Sequence, residues 1–423
     1  MNITCPAVLI SAISSGQGKT LSTAALARAW KNRGLNVRAF KCGPDFLDPM
    51  VLETATGQPV YNLDLGMCGE QDGLSRLYNA ALEADVIIVE GVMGLYDGTP
   101  SSADIAVHYG LPVILTIDAS GMAQTFGAVA SGLLAYKPEL KPAGVLANKV
   151  GSTGHARMLR ESLPEHLSWF GALHRVESFA LPERHLGLFR ANEIDDLEAR
   201  VEAAAIALAS SGELPLPPLV TFNQPVVSAT PALLAGKTIA IARDEAFCFI
   251  YQANLDSLIA MGATLCFFSP IHDNALPKAD AYWLPGGYPE LHLEQIRNNS
   301  AMRAALQNAF HANKPILAEC GGMMALSESI NGTPTFGLLT GSCQIEARFQ
   351  GLGTQHVTLP DGAMSAHTFH YGLFNTPLAV AFQGSTSRNG QGEAIYQHGS
   401  ITASFLHFYF PSNLSATARL FSA

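Results

Sequence analysis

The sequence predicts an α/β protein of two domains. The first is a doubly wound parallel-sheet domain with a phosphate loop, and the second is a further α/β domain built around a cysteine turn. Three observations carry this expectation. Short apolar runs alternate with helix-period segments through most of the chain. The run Ala7-Val8-Leu9-Ile10 leads through Ser14-Ser15-Gly16-Gln17-Gly18-Lys19-Thr20 into a helix. A later run ends on Ala318-Glu319-Cys320-Gly321-Gly322 and again enters a helix, within a length of 423 residues that fits two cores.

Composition narrows the function classes. Hydrophobic residues make up 48% of the chain and charged residues 14%, which describes packed globular domains. A net charge of −10 without any basic run argues against non-specific nucleic-acid binding and requires a local site for any anionic ligand. The seven cysteines include no Cys-x-x-Cys pair, which points to reduced thiols and against a zinc site. Without a leader pattern or an apolar run of about 18 residues, a soluble cytoplasmic protein with no membrane partner is expected.

Residues 7–10 form a fully buried strand by pattern. Beyond them Gly16, Gly18, Lys19 and Thr20 suit a phosphate loop. Backbone N–H groups and the helix N-terminus hold phosphate oxygens, Lys19 neutralises charge, and the Thr20 hydroxyl reaches Mg²⁺. Ile13 stands where the usual pattern has its first glycine, so a plain glycine turn is the competing reading. The helix carries Leu21, Ala24, Ala25, Ala29 and Trp30 inward and stops at Gly34. A strand over 37–41 runs into Cys42-Gly43-Pro44-Asp45-Phe46-Leu47-Asp48-Pro49, expected as a rigid loop at a strand end, where open parallel sheets bind ligands. Lys41, Asp45 and Asp48 there suit a Mg-nucleotide.

A helix over 74–84 precedes the strand 85–90, whose terminal Glu90 has the position that holds catalytic Mg²⁺ beside a phosphate loop. The glycine-rich turn after it carries Asp97. Further strands are expected over 113–118 and 143–149, with a helix over 125–136 between them. Asn148 at the end of the last strand either reads a nucleobase edge or caps the next turn. A helix over 196–209 closes the first domain, residues 1–212. Residues 213–236, with Pro215, Pro217, Pro218, Pro225 and Pro231, are expected as a semi-rigid linker.

The second domain, residues 237–423, starts with a strand over 238–242, a helix over 249–261 and a strand over 264–268. A strand over 281–284 enters Pro285-Gly286-Gly287-Tyr288-Pro289-Glu290, whose glycine N–H groups suit an oxyanion or simply a tight turn. A helix over 301–313 returns to the strand before Cys320. A cysteine on a strand-to-helix turn has its sulfur near a helix N-terminus, which favours thiolate, although a buried structural thiol would have the same sequence. A thiol nucleophile needs a base, and His367, His370 and His407 are candidates. His407 closes an expected strand over 400–407.

These motifs resemble a known family. Pro285-Gly286-Gly287-Tyr288-Pro289-Glu290, Ala318-Glu319-Cys320-Gly321-Gly322 and Ser404-Phe405-Leu406-His407 resemble class I glutamine amidotransferase domains of the cobyrinic-acid branch. The phosphate loop, Phe40-Lys41-Cys42-Gly43-Pro44-Asp45-Phe46-Leu47-Asp48-Pro49 and Val89-Glu90-Gly91-Val92-Met93-Gly94-Leu95-Tyr96-Asp97-Gly98 are similar to the a,c-diamide synthases of cobalamin biosynthesis. Their synthetase half has a dethiobiotin-synthetase-like fold. The resemblance spans nearly the whole chain in motif order. Tyr409 stands where many class I amidotransferases carry a glutamate, so Cys320 and His407 would act as a dyad. Ala318 replaces a frequent glycine, and Cys42 a frequent valine.

The resemblance implies ATP- and glutamine-dependent amidation of two carboxylates on a corrinoid polycarboxylate, cobyrinic or hydrogenobyrinic acid, by a carbon–nitrogen ligase. ATP, L-glutamine and Mg²⁺ are the implied co-substrates and cofactor. By this reading Gly16, Gly18, Lys19, Thr20 and Asn148 hold nucleotide, and Thr20, Asp45 and Glu90 hold Mg²⁺. Lys41, Asp48 and Asp97 position substrate or metal. Cys320 and His407 hydrolyse glutamine, with Gly287 and Gly321 as the oxyanion site. Arg184, His185 and Arg190 are offered for the acidic ring, and a homodimer is compatible with the sequence. The 40–49 run favours the metal-free ring. The alternatives are another tetrapyrrole such as nickel sirohydrochlorin, or a partitioning-type switch ATPase that would need no Cys320.

Overall fold

The computed structural model describes residues 2–422 except 177–178, 185–186, 189–190 and 227–228. Two compact units are present, residues 1–65 with 69–227 and residues 66–68 with 228–423.

In the first unit, β1 (Asn2–Ala12), β2 (Val37–Cys42), β3 (Tyr61–Leu63), β4 (Val86–Glu90), β5 (Val113–Asp118), β6 (Pro142–Val150) and β7 (Ser168–His174) form a parallel sheet. Its order is β3-β2-β4-β1-β5-β6-β7. Helices α1 (Lys19–Asn32), α2 (Leu47–Thr56), α3 (Glu70–Ala81), α4 (Ser102–Tyr109), α5 (Thr125–Ala135), α6 (Thr153–Glu161) and α7 (Leu197–Ser210) flank it. The unbroken apolar strands follow from cover on both faces. Val8, Ile10, Ile88 and Ile114 pack with Trp30 and Leu208 on one side, while Leu9, Val89 and Leu115 pack with Leu77 and Phe126 on the other. Because β1 is central, the ends of β1, β2, β4 and β6 bring their loops to one edge, the ligand position of open α/β sheets.

Two expectations change here. The loop after β2 is shorter than expected, because α2 begins at Leu47 and carries Asp48 in its first turn. Asp45 accepts the Leu47 and Asp48 N–H groups at 2.8 and 3.1 Å, and Pro49 lies in the first turn, where its missing N–H costs nothing. The expected linker 213–236 contributes β10 (Leu219–Asn223), which follows the two-residue strands β8 (Glu183–Arg184) and β9 (Gly187–Leu188). β10 pairs antiparallel with Asn2–Pro6 of β1, the stretch that precedes the parallel ladders, and it buries Val220 and Phe222. Flanking prolines hide this alternation in the sequence.

The second unit has a ten-stranded sheet ordered β12-β11-β13-β14-β23-β22-β21-β18-β19-β24. Its strands are β11 (Thr238–Ala242), β12 (Thr264–Phe268), β13 (Ala281–Leu284), β14 (Ile316–Glu319), β18 (Gly351–Leu359), β19 (Gly362–His370), β21 (Val380–Thr386), β22 (Gln391–His398), β23 (Ile401–Ser404) and β24 (His407–Phe408). A small sheet contains β15 (Ser329–Ile330), β16 (Thr333–Pro334), β17 (Ser342–Ile345) and β20 (Gly372–Asn375). The helices are α8 (Gln252–Ala260), α9 (Leu293–Asn298), α10 (Ser300–His311), α11 (Gly321–Leu326) and α12 (Leu414–Leu420).

Pairing is parallel from β12 through β23 and antiparallel beyond. The strand expected over 400–407 is interrupted. β23 stops at Ser404, whose hydroxyl accepts the Leu406 N–H at 3.1 Å, and His407 opens β24 opposite His367 of β19. Phe405 and Leu406 enter different core clusters, so the chain turns between them. Among the described residues, no helix is long and apolar enough to cross a membrane.

Candidate functional site

Each unit gathers one group of chemically active residues. In the first, a cavity of about 630 Å³ is lined by Gly16, Gly18, Lys19 and Thr20, by Lys41, Asp45, Asp48 and Glu90, and by Asn148. The phosphate loop is held by side chains. Asn148 donates to the Gln17 carbonyl at 2.9 Å and accepts the Lys149 N–H at 2.9 Å, while Gln17 accepts the Asp118 N–H at 2.9 Å. Gly18 has φ +83°, and a Cβ there would lie 2.1 Å from Asn148 Nδ2. The Asn148 amide is therefore engaged in fixing the loop.

Lys19 donates to the Met93 carbonyl at 2.5 Å, and burial followed by the Lys41 charge lowers its pKa. Thr20 donates to Glu90 Oε1 at 2.8 Å. Lys41 is 2% exposed and reaches Asp48 at 2.7 Å, Glu90 at 3.2 Å and the Gly91 carbonyl at 3.0 Å. Burial opposes its charge, yet Asp48, Glu90 and Asp45 hold its pKa well above 10.5. Burial pushes Asp45 up to about 6, helped by the Asp48 charge, and pushes Glu90 up to about 8 against the pull of Lys41. Asp48 is held low because Lys41 outweighs its burial.

Glu90 Oε2 is buried with no donor aimed at it among the described residues. Crowded carboxylates, an orphaned oxygen and the Thr20 hydroxyl form an oxygen donor set that fits a hard divalent cation. Among the described residues, no group of three His, Cys, Asp or Glu side chains is placed to hold a metal ion by itself. Asp97 is exposed and closes a turn by accepting the Gly94 N–H at 3.0 Å. Sequence reasoning missed Gln17, the Asp118–Lys149 ion pair at 2.7 Å, and the lining segment with His174, Arg175 and Phe179. Gln17 lies within the loop motif at a position to which the pattern gives no role, and the others belong to no spaced motif. His185 and Arg190 lie outside the described residues, and only the backbone of Arg184 is described.

In the second unit, Cys320 sits between β14 and α11 at φ +44° and ψ −108°, a conformation L-residues rarely adopt. Its N–H donates to the Ser404 carbonyl at 2.7 Å, and the Gly321 N–H reaches its sulfur. Burial, then the Glu290 charge, pushes the thiol well above 9, so it is protonated in the free protein. Glycines make the close packing possible. A Cβ on Gly322 would lie 2.0 Å from the Leu284 carbonyl, one on Gly321 would lie 2.9 Å from Gly287 N, and one on Gly286 would lie 2.2 Å from His407 Cε1. The Cys320 elbow with Gly321, the Gly286-Gly287 turn after β13 and His407 thus lie packed together.

His407 is 2% exposed, and burial, then His367 and His370, keep its pKa well below 6.5. His367 stacks on it with centroids 5.0 Å apart and an interplanar angle of 20°, and pairs with the Tyr251 hydroxyl at 2.7 Å. His370 instead stacks on Phe405 at 3.8 Å and pairs with Glu393 at 3.0 Å. Tyr409, at 1% exposure, is packed near Tyr251, so the position two residues after His407 holds a buried aromatic ring. Glu319 went unremarked in the sequence, being the residue beside a more conspicuous one. Its oxygens accept the Phe408 N–H and the Trp283 indole N–H, both at 2.8 Å.

Residues 8–189 match the family described as "CobQ/CobB/MinD/ParA nucleotide binding domain", and residues 238–414 match "CobB/CobQ-like glutamine amidotransferase domain". A hydrogenobyrinate a,c-diamide synthase from Stutzerimonas stutzeri is 52% identical, covering 98% of each chain. One of the same name from Pseudomonas aeruginosa is 49% identical, covering 98% of this chain and 97% of its own. A cobyrinate a,c-diamide synthase from Herminiimonas arsenicoxydans is 46% identical, covering 98% of this chain and 96% of its own.

Proposed function

Because the chain belongs to the hydrogenobyrinate and cobyrinate a,c-diamide synthase family, we propose that it amidates the a and c carboxylates of hydrogenobyrinic or cobyrinic acid, with ATP and L-glutamine as co-substrates. The first unit is the synthetase half and the second the ammonia-producing half. A carboxylate is a poor acyl donor because oxide would have to leave. Transfer of the γ-phosphoryl group from ATP converts it to an acyl phosphate and ADP. Ammonia then attacks the carbonyl carbon, and phosphate leaves with its electron pair.

In the synthetase half, the loop amides from Gly16 to Thr20 and the Lys19 ammonium stabilise charge on the transferring phosphoryl group. Thr20, Asp45 and Glu90 would hold Mg²⁺, which supplies further charge neutralisation when bound. Lys41 and Asp48 fix the orientation of Glu90. Asn148 keeps the loop in its phosphate-binding shape, and Asp97 would position substrate or metal from the turn it closes at Gly94.

In the second half, His407 takes the Cys320 proton as the sulfur attacks the glutamine amide carbon. The N–H groups of Gly287 and Gly321 receive the oxyanion. His407 then passes the proton to the leaving nitrogen. Ammonia departs, leaving a γ-glutamyl thioester that water hydrolyses to glutamate.

The observation that supports this most directly is the Cys320 elbow at φ +44°, with His407 against the β13 glycines. Cys320→Ser tests it. The variant is expected to make the diamide from ammonium and ATP but not from glutamine; retained glutamine-dependent amidation would refute the assignment. The relatives from Stutzerimonas stutzeri and Pseudomonas aeruginosa, both named for hydrogenobyrinate, favour the metal-free ring. Mass spectrometry of products from both rings under ATP and glutamine distinguishes it from the cobalt form. The same reading assigns the protein to the cytoplasm, where both co-substrates are supplied, and allows a homodimer, which sedimentation would detect.

A further inference from the structure

We propose that Glu319 is a positioning residue for glutamine hydrolysis: its carboxyl group ties the Cys320 elbow to the His407 segment and to the strand that carries the oxyanion glycines. The proposal rests on the assignment of Cys320 and His407 as nucleophile and base.

The geometry is specific. Glu319 is the last residue of β14, directly before Cys320, and is 1% exposed. Its Oε1 accepts the N–H of Phe408, the residue after His407, at 2.8 Å. Its Oε2 accepts the indole N–H of Trp283 at 2.8 Å. Trp283 is paired with Leu317 across the β13–β14 ladder and lies three residues before Gly286. One side chain therefore bridges the backbone of the base, the backbone of the nucleophile and the strand feeding the oxyanion turn.

An apolar residue would pack in this place without losing hydration, whereas a buried carboxyl group requires both partners. Both donors are neutral, and burial pushes Glu319 up to about 8. The group therefore makes no ion pair, and it is the geometry of its two contacts that defines it as a two-armed acceptor. β24 is two residues long and, among the described residues, pairs with β19; Asn254 holds the Phe408 carbonyl at 2.8 Å and the Phe410 N–H at 2.9 Å, and Glu319 holds the N–H next to His407. A small rotation of this segment would shift the His407 ring relative to the Cys320 elbow without disturbing glutamine contacts made elsewhere, so the loss falls on kcat rather than KM.

The test uses the full chain, with steady-state glutamine hydrolysis and, separately, ammonium-dependent amidation. Glu319→Leu is expected to lower glutaminase kcat about 100-fold while the KM for glutamine stays within about threefold and the ammonium reaction is kept. Glu319→Gln keeps one acceptor for the Phe408 N–H but turns an NH₂ toward the indole, and Trp283→Phe removes that same arm from the other side. Each should cost about tenfold in kcat, and the double variant should be no slower than either single one.

Wild-type kcat in Glu319→Leu overturns the proposal, as does a double variant in which the two losses multiply. If Glu319→Leu fails to fold, the Gln and Phe variants and their double decide. Cys320→Ser separates this idea from its premise. If Cys320→Ser still hydrolyses glutamine, the dyad assignment is wrong; if only the Glu319 variants are unaffected, the positioning role alone is.

Discussion

Lys41 and Asp48 meet at 2.7 Å inside the first unit, with Glu90 as the third member of the group. Lys41 is the counter-charge that lets carboxylates gather beside the phosphate loop. Lys41→Met should therefore destabilise the first unit by about 3–5 kcal/mol, since it leaves buried acids unpaired. Denaturant unfolding would show this as a lower midpoint for that unit. Glutamine hydrolysis by Cys320 should be unchanged.

Asp45 has two separable jobs. Its carboxylate caps α2, and the proposed function also gives it a share of Mg²⁺. Asparagine caps helices about as well as aspartate, so Asp45→Asn should leave stability within about 0.5 kcal/mol. Amidation should nevertheless fall at least about 100-fold and require more Mg²⁺, because a charged oxygen ligand is lost. A Mg²⁺ titration of ATP-dependent amidation checks this, and an unchanged titration would remove Asp45 from the metal site.

The second unit should be most stable near pH 6.5. Burial pushes His367 down to about 3 and holds His407 well below 6.5. Below pH 6.5 the unfolded chain binds protons that the folded one refuses, so stability falls on acidification toward pH 3. Each such proton is worth about 1.4 kcal/mol per pH unit. Glu319 acts in the opposite sense. Its folded pKa is raised from 4.5 to about 8, so its contribution is complete below pH 4.5 and is lost as pH rises through 8. The histidines outweigh it up to pH 6.5, and it acts against them alone above. Unfolding of His367→Gln should show a shallower acid slope, by about one proton.

Gly286 packs against His407, the base in the proposed function. A methyl group there would lie 2.2 Å from His407 Cε1, so Gly286→Ala should displace the ring. His407→Gln removes the base outright, a loss of about 10²–10⁴ in glutaminase kcat. Gly286→Ala should approach it, with ammonium-dependent amidation retained in both. Wild-type hydrolysis in either variant would exclude His407 from the chemistry.

Much of this arrangement is legible in the sequence because particular residue types are forced. Lys19 and Thr20 follow a positive-φ glycine at a helix start, Glu90 closes a four-residue apolar run, and Cys320 precedes two glycines. What escapes notice is formed by distance in the chain. Asn148 reaches Gln17 from 131 positions away, and Glu319 reaches Phe408 from 89, so no local spacing announces either pair. Asp48 reads as a loop residue because prolines flank it, although Pro49 is harmless in a first helical turn. His367 passes for a candidate base by residue type alone. The fold instead assigns it to the Tyr251 hydroxyl and to the face of His407.

The antiparallel pairing of Leu219–Asn223 with Asn2–Pro6 bears on how the first unit can be isolated. A fragment cut at residue 212 would leave Asn2–Pro6 of the central strand without the partner strand that pairs its N–H and C=O groups. Such an edge invites a neighbouring molecule to add a strand, and the fragment should form soluble aggregates. Extending the fragment to residue 224 supplies its own closing strand and should give a dispersed species.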